Sequence, residues 1–542
     1  MKFKLLMVAA LALAACSTTD ASNVTKVRNP SDVFAEYNSQ VVQWDECDSS
    51  LFDLEYADSN FDDSDIVCAE ISVPFHYEVG NVGDDLTLTI MKDPASGTTS
   101  QYQGALFMNP GGPGQSGITH LQSAALPSEL RDAYDIIGVD PRGVGSSSPV
   151  RCSDELDLRS YFEYPFDVAN AAEAAELEKA STEFYADCIE KNPHWWAIGT
   201  ENVVRDFELL RQILTPEAKF NFIGHSYGTT LAGRYISEFP EHVGRIVLDS
   251  PVKPDDGEVE TQIQQSESLA AARTRIFEKC AADDSCPGST VKEVENNLIS
   301  IRDAVLADET SGYVFEQMGG SKFFKSGTGE SAYLILRGID LLTYYPLDEI
   351  YDTFKQVYKD GLDGWVGGFE WLGLSMDGYD SETLERDNSY EVLTIVNCLD
   401  IDGRDTRTES EIDAETELFE AADPFGTRFY ELYDYEAPVE EEPGCFWSWE
   451  TFDSDEIPDA PATQDDFSND SGAAVVTIGS KGDNVTPYVW SQNTSESLKS
   501  DLITYEGTGH AVLWGTSSCI DKPVLEYLLT GRAPGSFACK AV

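Results

Sequence analysis

The chain has 542 residues, of which 97 are Asp or Glu and 36 are Lys or Arg, giving a formal net charge of −61. So negative a surface repels phosphate backbones and excludes a nucleic-acid binder. A hydrophobic share of 41%, with 26 Phe, 24 Tyr and 9 Trp, excludes a disordered chain and is ample for a large core. The acids run along the whole length rather than in a tail, a pattern suited to salty water whose counterions screen self-repulsion.

The N-terminus reads "MKFKLLMVAALALAAC". Lys2 and Lys4 precede an apolar stretch too short for a stable membrane span, and Ala14 and Ala15 precede Cys16. This is the pattern of a bacterial lipoprotein leader over residues 1–15, with Cys16 acylated as the first residue of a body outside the cytoplasm. No later run reaches the ~18 apolar residues of a membrane helix, so the expected membrane contact is the lipid anchor alone. Residues 16–45 are polar and acidic and read as a tether entering the fold near Trp44.

Strand character follows in "ISVPFHYE" and "LTLTIMK", split by the turn-like "VGNVGDD". "GALFMN" (104–109) is a short apolar run ended by "PGGPG", and "YDIIGVD" (134–140) is another, ended by "PRGVGSS". "NVVRDFELLRQIL" (202–214) has apolar residues at helical spacing. "FNFIG", a helix over about 228–238 and "RIVLDS" complete a run of short apolar strands alternating with helices, which implies a parallel sheet covered on both faces. Residues 255–470 carry mostly helical and loop signals and strongly acidic stretches. Strand-like runs return at "AAVVTIGS" and "LITYEG", and "CIDKPVLEYLLTG" reads as a closing helix stopped at Gly531. The division is therefore a first core part over 46–254, a mostly helical cap insertion over 255–470, and a second core part over 471–542.

"GHSYG" places Ser226 in a G-x-S-x-G pattern between an expected strand and an expected helix, the context of a nucleophile elbow. A serine hydroxyl needs a general base. Of the six histidines only His242 and His510 follow Ser226, the order this architecture requires, and His242 falls at the far end of the serine's own helix. His510, in "EGTGHAV", is the base by elimination. The imidazole needs a carboxylate to fix its tautomer. Asp483, after the penultimate strand, is preferred to Asp249 at the end of "RIVLD", and Thr486 is placed to support the Asp483 loop. For the developing oxyanion the backbone N–H groups of Tyr227 and Gly112 are expected, with Gly111 as the alternative to Gly112. The ten cysteines left after Cys16 are an even number, which export would turn into disulfides; without a C-x-x-C pair no metal site is expected, and no cofactor.

Several segments together resemble the secreted tripeptidyl aminopeptidases of the proline iminopeptidase group, exopeptidases of the α/β-hydrolase fold. They are "MNPGGPGQSG", "DIIGVDPRGVGSSSP", "NFIGHSYGTTLAGRYISEFPEHVGRIVLDSPVKP", "NCLD", "GDNVTPY" and "GTGHAVLWGTSSCIDKPVLEYLLTGRAPGSFAC", in family order from about residue 40 to the end. The resemblance implies that Ser226, Asp483 and His510 form the triad and that "GGPG" walls the oxyanion site. It also implies the pairings Cys47–Cys68, Cys152–Cys188, Cys280–Cys286, Cys398–Cys445 and Cys519–Cys539. His225 departs from the family, standing where many relatives have a smaller residue, and the acidic insertion matches weakly. An aminopeptidase must hold a free α-ammonium, for which cap carboxylates are suited, with Glu370, Asp377 and Asp400 as candidates. The expected partners are peptides with a free N-terminus. The rival readings are an esterase or other small-molecule serine hydrolase, and a surface binding lipoprotein that kept the fold without catalysis.

Overall fold

The computed structural model describes residues 30–52, 57–59, 61–78, 84–152, 188–253, 258–307, 310, 314–317, 320–323, 329–379, 387–400, 409–430 and 467–542. The predicted leader and Cys16 lie outside them. Its strands are β1 (Asp45–Glu46), β2 (Val67–Val73), β3 (Leu86–Asp93), β4 (Ala105–Asn109), β5 (Asp135–Val139), β6 (Phe220–His225), β7 (Val243–Asp249), β8 (Val314–Gln317), β9 (Gly320–Phe323), β10 (Val475–Gly482), β11 (Asp501–Thr508) and β12 (Phe537–Cys539). The helices are α1 (Pro30–Tyr37), α2 (Gly117–Ser123), α3 (Ser128–Ala133), α4 (Thr200–Leu214), α5 (Gly228–Glu238), α6 (Glu258–Ala281), α7 (Val291–Leu306), α8 (Gly329–Thr343), α9 (Leu347–Leu362), α10 (Gly367–Met376), α11 (Ser389–Asp400), α12 (Glu409–Ala422), α13 (Pro424–Tyr430), α14 (Tyr488–Leu498) and α15 (Ser518–Thr530).

One sheet runs in the order β1-β2-β3-β5-β4-β6-β7-β10-β11-β12. β1, β2 and β3 are antiparallel, β3 meets β5 antiparallel, and every pairing from β5 to β12 is parallel. β4 and β6 are buried at every position, as central parallel strands covered on both faces must be. Alternation along each strand divides the core. Phe107, Phe220 and Phe222 pack with α4 and α5 through Phe207, Leu210, Leu231 and Tyr235. Leu106, Met108 and Ile223 pack on the other face with Leu121 of α2, Leu130 of α3 and Leu528 of α15. Among the described residues, helices α6 to α13 and the β8–β9 hairpin lie between β7 and β10 in the chain, and helices α6 to α10 with α13 share a core of their own, which includes Phe277, Leu298, Ile335, Phe354, Phe369 and Phe429.

Three boundaries differ from expectation. The stretch read as a tether over 16–45 contains α1, whose Val33, Phe34 and Tyr37 are buried in the main core. These few apolar residues share one face of a short helix, and the acidic residues around them mask that face in the sequence. Phe467, short of the boundary placed at 471, already packs in the sheet's core. The last element is not the helix α15 but the three-residue strand β12, too short to register as a pattern, which pairs with β11 at Ile503–Phe537 and Tyr505–Cys539. Gly531 does end α15, in the left-handed conformation with its N–H on the Tyr527 carbonyl.

Disulfides join Cys47 to Cys68, Cys152 to Cys188, Cys280 to Cys286 and Cys519 to Cys539. Cys398 is disulfide-bonded, and Cys445, its expected partner, lies outside the described residues. Among the described residues no helix is long and apolar enough to cross a membrane.

Candidate active site

Ser226 follows β6 directly and has φ +51°, a left-handed conformation rare for a side-chain-bearing residue. Its N–H is held by the Asp249 carbonyl of the neighbouring strand at 3.0 Å. The flanking glycines are there because the turn is crowded. A Cβ on Gly224 would sit 2.5 Å from the Gly228 carbonyl oxygen, and one on Gly228 would sit 2.7 Å from that of Asn109. The strain turns the partly exposed Ser226 hydroxyl out of the sheet at the carboxyl ends of the strands, where open α/β sheets bind ligands.

His510 stands beyond β11 and Asp483 beyond β10. Both Asp483 oxygens lie 3.0 Å from His510 Nδ1. The carboxylate also receives the Val485 and Thr486 N–H groups at 2.9 Å each and the Thr486 hydroxyl at 3.0 Å. Thr486 thus has the loop-supporting position expected of it. Burial pushes the Asp483 pKa up, but the charge of His510, the bond to it and the two amides together bring it below the ordinary carboxylate value. For His510 burial pushes the pKa down, and the charge and hydrogen bond of Asp483, with the charge of Asp249, raise it overall. His242 lies elsewhere, with Nδ1 2.9 Å from a Glu208 carboxylate oxygen.

The "GGPG" loop leaves β4 and lies against the elbow: a Cβ on Gly111 would be 2.9 Å from the Ser226 Cβ and 3.0 Å from the Tyr227 nitrogen. Gly111 donates its own N–H to Asn109 Oδ1 at 3.0 Å. The N–H groups of Gly112 and Tyr227 have no acceptor among the described residues, which leaves this pair free for an anion. Asn109 escaped the sequence reading, although it heads the very segment, "NPGGPG", that drew attention to the loop.

The cap reaches the loops bearing Asp483 and His510 through the junction of α8 and α9. The Tyr344 carbonyl accepts the His510 N–H at 2.9 Å, and the Tyr344 ring meets the imidazole edge-to-face at 5.6 Å. Asn484, next to Asp483, donates to the Thr343 hydroxyl at 2.7 Å, and the Leu347 N–H donates to Thr508 Oγ1 at 3.0 Å. No spacing or motif pointed to this strip.

The three amine candidates separate. Glu370 is buried in the cap and receives the Ser331 hydroxyl at 2.6 Å. Asp377 is paired with Arg337, at 2.7 Å. Asp400, at the end of α11, comes to the elbow: it takes the Thr200 N–H at 3.1 Å and the Thr200 hydroxyl, and that hydroxyl also meets the Tyr227 phenol. Burial pushes the Asp400 pKa up to about 6 against the bonds from Thr200 and the charge of Arg234. Thr200 itself went unpredicted because it reads only as the start of a helix.

A strained serine at the carboxyl edge of a mostly parallel sheet, with a histidine–aspartate pair on later strands, makes this molecule an α/β hydrolase. The alpha/beta hydrolase fold family matches residues 104–292, which hold Ser226, and the TAP-like protein family matches residues 442–539, which hold Asp483 and His510. Serine protease Hip1 of Mycobacterium tuberculosis is 28% identical over 514 residues, covering 92% of this chain and 91% of the relative. The tripeptidyl aminopeptidase of Streptomyces lividans is 32% identical over 261 residues, covering 46% and 48%. Carboxylesterase B of M. tuberculosis is 27% identical over 481 residues, covering 86% and 85%. The chain belongs to the TAP-like α/β hydrolases, a family of serine hydrolases and peptidases.

Proposed function

We propose that the protein is an extracytoplasmic serine exopeptidase that releases short peptides, tripeptides foremost, or single residues from free peptide N-termini through an acyl-enzyme. Ser226 Oγ attacks the scissile carbonyl while His510 Nε2 takes its proton. Asp483 holds Nδ1–H and favours the cationic ring. The N–H groups of Gly112 and Tyr227 receive the oxyanion. His510 then gives the proton to the leaving amine, and as base again it activates the water that frees the acyl group. The four disulfides joined within the described residues, with the bonded Cys398 beside them, support a site outside the reducing cytoplasm. In this reading Cys16 carries the lipid that tethers the body, and Cys16→Ser would release it from the membrane fraction; retention of that variant there would refute the anchor.

One observation carries the choice of an aminopeptidase. Asp400 is a cap carboxylate tied through Thr200 to the residue beside the nucleophile, and among the described residues it has no arginine or lysine at ion-pair distance. A partly buried carboxylate that desolvation raises to about 6 is stabilised in its charged form by a substrate α-ammonium. A panel of free and acetylated peptides of graded length tests this: free tripeptidyl substrates should be cut and acetylated ones spared. Equal cleavage of both would defeat the exopeptidase reading. The relative named carboxylesterase B favours a second reading, an esterase, which turnover of small esters with no turnover of any peptide would select.

A further inference from the structure

We infer that Asp249 is a positioning residue: the Asp249–Ser250 corner after β7 sets the histidine loop against the nucleophile elbow. The inference rests on the reading of Ser226 as nucleophile and His510 as base. The Asp249 carbonyl accepts the Ser226 N–H at 3.0 Å. The Asp249 carboxylate, fully buried, accepts the Leu513 N–H at 2.9 Å and the Val512 N–H at 3.3 Å, just past His510 in the chain. It also meets His225 Nδ1 at 3.1 Å, so the residue preceding the nucleophile is bonded to the same group. Ser250 completes the corner: its N–H goes to the Ile478 carbonyl of β10 at 3.0 Å, and its hydroxyl accepts the Ala511 N–H at 2.9 Å. Two consecutive residues therefore bind the elbow, the strand leading to Asp483 and the loop bearing His510.

The backbone at these joints supports the same reading. Ser226, Ser250 and Ala511 have φ +51°, +56° and +54°, all in the left-handed region without being glycine. Such conformations persist where the surroundings over-determine them. Here each strained residue is hydrogen-bonded within the corner. His225, the departure noted in the sequence, has an equally specific place. It bridges Asp249 to His120 of α2, whose ring meets its own edge-to-face at 5.1 Å. Burial first, then the charge of His225, pushes the His120 pKa down to about 3, so His120 is neutral here. The charged and titratable groups around Asp249 are thus His225 from β6, His120 behind it, His510 from the loop, and Asp521 of α15, whose pKa burial and the Asp249 charge both raise. Asp249 is not the acid that holds the imidazole, which is bonded to Asp483; it acts through the backbone of Val512 and Leu513 and through its charge.

The test is the rate of covalent labelling by a fluorophosphonate, followed against pH in the full chain. Asp249→Asn keeps the size of the side chain but removes the charge and one of its acceptor oxygens. Labelling per folded molecule should slow tenfold or more, and the acid limb of the profile should move to lower pH, because His510 loses a charge that raises its pKa. A merely structural residue would lower the folded fraction and leave both the rate per folded molecule and the limb where they were; that outcome overturns the proposal. Should Asp249→Asn fail to fold, Ser250→Ala decides. It removes only the acceptor of the Ala511 N–H, and a severalfold slower labelling supports the corner while an unchanged rate overturns it. Absence of labelling in the unaltered protein, or undiminished labelling of Ser226→Ala, would instead strike the serine reading itself.

Discussion

The carboxylates at the edge of the sheet and those inside the cap are held in different ways. At the edge, Asp483 is bound by the N–H groups of Val485 and Thr486, Asp249 by those of Val512 and Leu513, and Asp140 by those of Ile118 and Ser146. In the cap, Asp340 and Asp423 share Arg273, Asp377 takes Arg337, and Asp283 takes Lys355. A backbone amide fixes the shape of a loop and leaves the negative charge uncancelled, free to act on an imidazole. A guanidinium joins two helices and neutralises the charge in doing so. The first arrangement serves chemistry and the second assembly. Asp400 gives the contrast its use: it lies on a cap helix and reaches the elbow, yet it is held there by an amide and a hydroxyl rather than by a guanidinium.

The contrast can be broken at several strengths. Ser226→Ala should abolish fluorophosphonate labelling and lower turnover by roughly 10⁶-fold with the fold intact; any residual labelling at a second residue would move the nucleophile elsewhere. Asp483→Asn should lower turnover by roughly 10⁴-fold. Because Asp483 raises the His510 pKa, the acid limb of the surviving activity should shift to lower pH, and a limb that stays or rises would contradict the assigned pairing. Asp340→Asn should do the reverse of this: it leaves Arg273 with half its partners and costs about 3–5 kcal/mol of stability. Turnover per folded molecule should stay as it was, and a cap ion pair whose loss changed the pH profile would erase the distinction. Asp400→Asn should raise KM for free-amine peptides by roughly 10- to 100-fold, the worth of a charge-assisted bond, with ester hydrolysis untouched. In the unaltered protein the same KM should rise as pH falls through about 6, since only the ionised carboxylate binds an ammonium. The smallest effect concerns the whole surface. With a net charge of −61, thermal stability should increase with NaCl as the repulsion is screened, and a melting temperature falling steadily with salt would reject that account.

What the sequence disclosed follows the same division. Local patterns bring out the sheet and its edge, because a buried parallel strand is a short apolar run and a strained serine needs small neighbours at fixed spacing. The elbow at Ser226 and the strands that lead to Asp483 and His510 are legible in that way, while those two residues are reached by chain order and elimination. Gly112 and Gly111 cannot be separated from the chain alone, because the choice turns on where Asn109 Oδ1 points. The place of Asp249 at a strand end makes it the runner-up triad acid in the sequence, and only the bonds to Val512 and Leu513 reveal what it holds instead. The cap is legible as helical and no further. Glu370, Asp377 and Asp400 look alike in an acidic sequence, and contacts across dozens to hundreds of residues separate them. α1 is hidden for a related reason, its one apolar face being set among polar residues.

The strip from Thr343 to Leu347 limits how such a protein can be rebuilt. Three bonds from it reach Asn484, Thr508 and His510, so the cap supplies part of the framework on which His510 and Asp483 are mounted. A cap grafted from another hydrolase would bring its own substrate walls but would leave these three groups unmatched unless it reproduced the strip. Deleting the cap should accordingly leave an inert sheet rather than an indiscriminate esterase. New substrate preferences are then more readily reached by exchanging side chains on the cap helices than by replacing the cap as a unit.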